Sequence, residues 1–91
     1  MDQLEVYVKA FPVIRDFVSL KLSNGSRLRD LIDLLAGRYD EFRDNFLSGG
    51  RLDTGVVIMV NNNIVRDMDY VLREGDRIVI IPPVAGGCES T

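Results

Sequence analysis

Glu74-Gly75-Asp76-Arg77-Ile78-Val79-Ile80-Ile81-Pro82-Pro83-Val84-Ala85-Gly86-Gly87 reads as a tight turn, a β-prone strand, a stop and a slender tail. Gly75 suits the turn, and Ile78 to Ile81 carry the branched side chains that favour a pleated, half-buried surface. Pro82 and Pro83 donate no amide hydrogen, so sheet pairing ends with them. They also stiffen the exit and reduce the entropy lost when a partner clamps it. Gly86 and Gly87 lack Cβ, which lets an enclosing protein close around the backbone. A frayed terminus is the competing reading of residues 84–91. A sheet-and-helix domain, however, has no evident need for two glycines after its last strand.

Upstream, Val56-Val57-Ile58-Met59-Val60 predicts another strand, Asn61-Asn62-Asn63 a turn tolerant of left-handed dihedrals, and Ile64-Val65 a short return strand. Residues 67–72 read as a turn-rich crossing. Leu28, Leu31, Ile32, Leu34 and Leu35 recur at spacings of three and four, the stripe of an amphipathic helix. Ser26 is the expected N-cap, its hydroxyl accepting an amide bond from Leu28 or Arg29, worth about 1 kcal/mol. Gly37 interrupts the pattern, and Tyr39, Phe42 and Phe46 continue it as a further helical turn or two over one end of the core. Ser48-Gly49-Gly50 reads as a loop. At the start, Leu4, Val6, Val8 and Ala10 alternate along a strand running to Phe11. Pro12 places a turn near 12–16, and Phe17 to Leu22 return antiparallel with Val18, Leu20 and Leu22 toward the core. The order is β-β-α-β-β-β. It predicts an α+β domain over residues 1–83, a mixed sheet packed on one main helix, with a flexible tail over 84–91.

The chain has 91 residues, 46% of them hydrophobic and 27% charged, which fits one folded domain. It contains no histidine, so a His metal site, a His-containing triad and a His general base are all excluded. The net charge of −3 gives no support to nucleic-acid binding. Apolar runs are short and broken by charges, so no membrane span is expected. Met1-Asp2-Gln3-Leu4-Glu5 lacks the pattern of a signal peptide, and a cytoplasmic location is the default. Cys88, the single cysteine, has no internal disulfide partner.

The remaining conspicuous residues have structural readings. Asp40, Glu41 and Asp44 match no calcium loop and read as a solvated helix face. Asp67, Asp69, Glu74 and Asp76 read as turn and surface residues, and Gly25 and Gly75 as turn formers. Gly49-Gly50 lacks the ending of a phosphate loop, so nucleotide binding by this chain is unsupported. Tyr7, Phe11, Phe42 and Phe46 read first as core or helix-covering aromatics. If any is exposed, the sheet surface beside the tail is the place for a large partner, with Arg15, Arg73 and Arg77 as flanking candidates. The strand from Arg77 to Ile81 is the firmest part to implicate, since it launches the tail. Cys88 has no base beside it in sequence and reads as a residue to be discarded, not a nucleophile.

Taken with its strand and turn, Pro82-Pro83-Val84-Ala85-Gly86-Gly87 resembles the terminus of the ubiquitin-like (β-grasp) sulfur-carrier family, closest to the branch of molybdopterin synthase small subunits. The opening strand into Phe11 with Arg15-Asp16, the Leu-rich helix from Leu28, and Val60-Asn61 before a tight turn also resemble that family, over about residues 4–87. The resemblance implies a protein that is itself a substrate. An E1-like enzyme adenylates the terminal glycine carboxylate with ATP, and sulfur from a donor then displaces the adenylate to leave a thiocarboxylate. The large synthase subunit receives the tail, and the sulfur passes to a pyranopterin precursor. Carried onto this chain, Gly87 bears the reactive acyl group and Gly86 supplies clearance. The resemblance implies no cofactor or metal bound by the chain, since ATP belongs to the activating enzyme.

Cys88-Glu89-Ser90-Thr91 departs from that pattern, because Gly87 is joined to Cys88 by an amide and has no carboxylate to activate. Some relatives carry such residues and resemble precursors trimmed by a zinc metalloprotease, so removal of residues 88–91 is the expected first step. Two alternatives stand beside the molybdopterin route. One is carrier chemistry in another pathway (thiamine, amino-acid or tRNA sulfur transfer) or attachment to lysines as a protein modifier. The other is a non-catalytic β-grasp binding module whose tail undergoes no chemistry.

Overall fold

A computed structural model of the chain describes residues 2–83. The predicted tail, with Gly86, Gly87 and Cys88, lies outside the described residues. The strands are β1 (Gln3–Ala10), β2 (Ile14–Ser23), β3 (Leu47–Ser48), β4 (Arg51–Leu52), β5 (Val57–Val60), β6 (Asn63–Ile64) and β7 (Arg77–Ile81). The helices are α1 (Leu28–Arg38) and α2 (Asp40–Phe46). Five strands form a sheet in the order β2-β1-β7-β5-β6, and β3 pairs with β4 in a separate small hairpin.

Alternation in β1 buries Leu4, Val6, Val8 and Ala10, as expected of a strand with one face on the core. Across from it β2 contributes Ile14, Leu20 and Leu22, and α1 contributes Leu28, Leu31, Ile32 and Leu35 to the same core. Phe42 and Phe46 are fully buried one helical turn apart, with ring centroids 4.6 Å apart. The expected extra turns after Gly37 are therefore a helix in their own right. The expected loop at 48–50 is the two-residue turn of the β3–β4 hairpin. Asn61 and Asn62 take φ of 51° and 72°, the left-handed pair that closes a tight hairpin between β5 and β6. The whole is the expected β-grasp arrangement, a mixed sheet packed on helices.

The expected Ser26 cap is not used. α1 starts one residue later than that cap requires, with Arg27 at the N-cap position. The Leu28 N–H donates to Tyr70 O (2.8 Å) and the Arg29 N–H to Met68 O (3.0 Å), so the crossing segment satisfies donors assigned to the hydroxyl. The Arg27 N–H in turn donates to Asp30 Oδ2 at 2.7 Å.

Within α1, Gly37 has open space where a Cβ would lie and no left-handed φ. Gly37→Ala should raise unfolding free energy by about 0.5–1 kcal/mol, because alanine gives up less backbone entropy in a helix. A shift of the urea midpoint to higher concentration at unchanged slope is the expected reading.

Candidate functional site: the launching strand and the outer face of the sheet

β7 lies at the centre of the sheet, parallel to β1 (Tyr7↔Arg77, Val8↔Ile78, Lys9↔Val79) and antiparallel to β5 (Val57↔Ile81 to Val60↔Ile78). The segment leading to Gly86-Gly87 thus springs from a strand held on both sides. Its entry is equally fixed. Gly75 adopts φ of 82°, which few side-chain-bearing residues tolerate, and its N–H donates to Glu5 O at 2.8 Å. The Glu5 N–H donates back to Glu74 Oε1 at 2.9 Å.

Asp76, expected on the surface, is instead buried at 5% exposure. The reason is its set of partners. Its Oδ1 accepts from Asn61 Nδ2 (2.9 Å), its Oδ2 from the Arg73 N–H (2.9 Å), and its carbonyl from the Tyr7 N–H (2.8 Å). Asn61 also accepts from the Arg77 N–H through Oδ1 (3.0 Å) and donates its own N–H to Arg77 O (2.8 Å). A buried carboxylate with these bonds is satisfied, and it ties β1, the β5–β6 turn and β7 together. Arg73, a candidate flanking residue, enters this network through its backbone.

Cross-strand pairing sets Tyr7, Lys9, Arg77, Val79, Met59 and Ile64 on the sheet face turned away from the core. Phe17 joins them, with Lys9 Nζ 5.9 Å and the Arg77 guanidinium 5.8 Å from its ring centroid. Phe11, beyond the end of β1, has the Arg15 guanidinium 5.8 Å from its ring. Phe11, Phe17, Ile64 and Ile81 are all more than a third exposed. Two of the aromatics read as core are therefore placed differently: Tyr7 by strand parity on the outer face, and Phe11 by the turn at Pro12 in the open. Phe42 and Phe46 are core, as expected. Phe17 carried no functional reading in the sequence, although a strand with Val18, Leu20 and Leu22 inward necessarily turns Phe17 outward.

Lys9, Arg15 and Arg77 stand by the outer-face aromatics, and Glu5, paired with Lys21, shares that face beside Tyr7. The helices carry the exposed acids Asp30, Asp33, Asp40, Glu41 and Asp44 together with Arg29, Arg38 and Arg43. The part of the outer face around Phe17 is thus basic and partly apolar within a net-negative chain, and suits an acidic patch on a partner. Among the described residues no group of three or more His, Cys, Asp or Glu is placed to hold a metal ion. Among them, too, no helix is long and apolar enough to cross a membrane.

The model of the ThiS family matches residues 8–87 of the chain. The chain is 32% identical to a putative molybdopterin converting factor, subunit 1, from Pyrococcus furiosus, covering 89% of this chain and 99% of that one with a TM-score of 0.71. It is 26% identical to small archaeal modifier protein 1 from Methanosarcina acetivorans, covering 93% and 98% of the two chains with a TM-score of 0.74. It is also 34% identical over 59 residues to a molybdopterin synthase sulfur carrier subunit from Phaeosphaeria nodorum, a match spanning 64% of this chain and 62% of that relative.

Proposed function

The chain belongs to the ThiS family of ubiquitin-like β-grasp sulfur carriers, and from that premise we propose that it carries an activated acyl group at Gly87, for sulfur transfer or for attachment to other proteins. The observation that carries this reading is the central, doubly paired β7, whose end at Ile81-Pro82-Pro83 lies directly before Val84-Ala85-Gly86-Gly87. A proteolytic cut after Gly87 frees its carboxylate. The carboxylate oxygen attacks the α-phosphorus of ATP on an E1-like enzyme, releasing pyrophosphate and leaving acyl-AMP. Attack by a sulfur nucleophile expels AMP and leads to a thiocarboxylate, whereas attack by a lysine amine gives an amide. A free carboxylate is a poor electrophile, and the adenylate supplies the leaving group. Stabilising the charge that develops during these attacks falls to the partner enzymes.

Similarity to the archaeal modifier, with 98% of its length covered at a TM-score of 0.74, supports a carrier or modifier outside molybdopterin synthesis. The second reading is the small subunit of molybdopterin synthase, delivering its thiocarboxylate to a large subunit and a pyranopterin precursor. Identities of 34% and 32% to the two molybdopterin-related proteins favour it.

Mass spectrometry separates these outcomes. Every carrier reading expects the native chain to lose residues 88–91, and a thiocarboxylate adds about 16 Da as sulfur replaces oxygen. Residues 78–87 contain neither Lys nor Arg, so trypsin would leave an Ile78–Gly87 branch on any modified lysine. Branched peptides support the modifier, and co-purification of thiocarboxylate with a large synthase subunit supports the molybdopterin route. A uniformly full-length, unmodified population in cells that require the protein would leave only a binding module.

A further inference from the structure

Val57 stands opposite Ile81 and Ile58 opposite Ile80 in the antiparallel pairing of β5 with β7. Carried two residues further, the same register sets Gly55 opposite Pro83. Neither Pro82 nor Pro83 has an N–H with which to continue the ladder. Packing takes over there. A Cβ built on Gly55 would lie 2.8 Å from Pro83 Cβ and 3.5 Å from Pro83 Cα. The first distance is well inside the ~3.5–4.0 Å of a favourable carbon–carbon contact.

Gly55 differs in kind from the turn glycines. Gly25, Gly49, Gly50 and Gly75 have left-handed φ and open space around them, whereas Gly55 has no left-handed φ and a neighbour against it. Its missing side chain therefore answers a steric demand. The backbone around it is fastened. The Gly55 N–H donates to Asp53 Oδ1 at 2.8 Å, and the Val56 N–H donates to Asp53 O at 3.0 Å. The Asp53 N–H donates to Phe46 O at 2.8 Å, which ties this turn to the end of α2 and its buried ring.

We infer that Gly55, held by Asp53, is a positioning residue: it seats Pro83 and so fixes the direction in which the chain leaves the sheet toward Gly86-Gly87. The inference rests on the carrier reading. An activating enzyme holds the domain by its surface and the terminal acyl group in its active site. Only residues 84–87 span the gap from Pro83, at most about 13–14 Å when extended. So short a span limits how far a displaced starting point can be made good, and misplacing a reacting group by an ångström can cost a hundredfold in rate. Gly55→Ala leaves the docking face untouched and moves the starting point.

The test is ATP–pyrophosphate exchange by the E1-like enzyme with the chain processed to end at Gly87. Gly55→Ala is expected to lower kcat about tenfold or more with KM changed less than about twofold, while the protein stays folded and its melting temperature falls by no more than about 4–8 °C. In a Pro83→Gly background, which removes the opposing Cβ, adding Gly55→Ala should cost less than about twofold. Gly37→Ala, an alanine placed in open space, should leave exchange unchanged. A wild-type kcat for Gly55→Ala, or an equal loss in both backgrounds, overturns the inference and leaves the carrier reading standing. No exchange from the unsubstituted processed chain removes both together.

Discussion

Asp76→Ala should lower the unfolding free energy by about 2–3 kcal/mol, a large fraction of what a domain of this size possesses. The carboxylate is buried, and each oxygen accepts one hydrogen bond, from Asn61 Nδ2 and from the Arg73 N–H. Hydrogen bonds to a charged acceptor are stronger than neutral ones, and removing the acceptor strands its donors. Asp76→Asn is nearly isosteric, yet its NH2 must face one of two donors, so it should recover little of the loss. The coupling is measurable. Asn61→Ala and Asp76→Ala combined in urea denaturation should fall short of additivity by about 1–2 kcal/mol, because they remove the same bond. Additive losses would mean that the Asp76 side chain acts without Asn61.

This network explains which parts of the molecule sequence reading reached. The alternation of Leu4, Val6, Val8 and Ala10 and the stripe from Leu28 to Leu35 are local patterns, and the structure buries all of these except Leu34, which is half-buried. Asp76 was opaque for the opposite reason. An aspartate after glycine in a turn looks the same whether it faces water or Asn61, and its partner stands 15 positions away. The start of α1 failed likewise, since carbonyls at 68 and 70 satisfy its amides. Sheet order decides both cases, because setting β7 between β1 and β5 is a long-range event that no short window records. The candidate site divides the same way. Gly86-Gly87 is legible as a motif in the sequence and lies outside the described residues. Gly55 was not legible, because Thr54-Gly55 before a strand carries no unusual signal until Pro83 is known to lie across it.

Phe17→Asp should weaken association with the activating enzyme about a hundredfold while leaving the fold intact. Phe17 is 42% exposed on the outer face and lies outside the core, so its replacement should cost about 1–2 kcal/mol, less than the whole stability of the domain. Lys9 and Arg77 beside the ring can also receive the new carboxylate, which favours the folded variant. Binding responds differently. An aromatic anchor at the centre of an interface contributes about 2 kcal/mol or more, roughly thirtyfold in affinity. The new negative charge, on a face whose Lys9, Arg15 and Arg77 suit an acidic partner, adds repulsion. Phe17→Leu keeps apolar area without the ring and should fall between the two. Asp33→Ala, on the exposed side of α1, should leave affinity unchanged. Titration calorimetry at two salt concentrations distinguishes the contributions, since the charge repulsion should shrink with added salt and the loss of apolar contact should not. Equal affinities for Phe17→Asp and the unsubstituted chain, with Asp33→Ala weakened instead, would move the docking surface from the sheet to the helices.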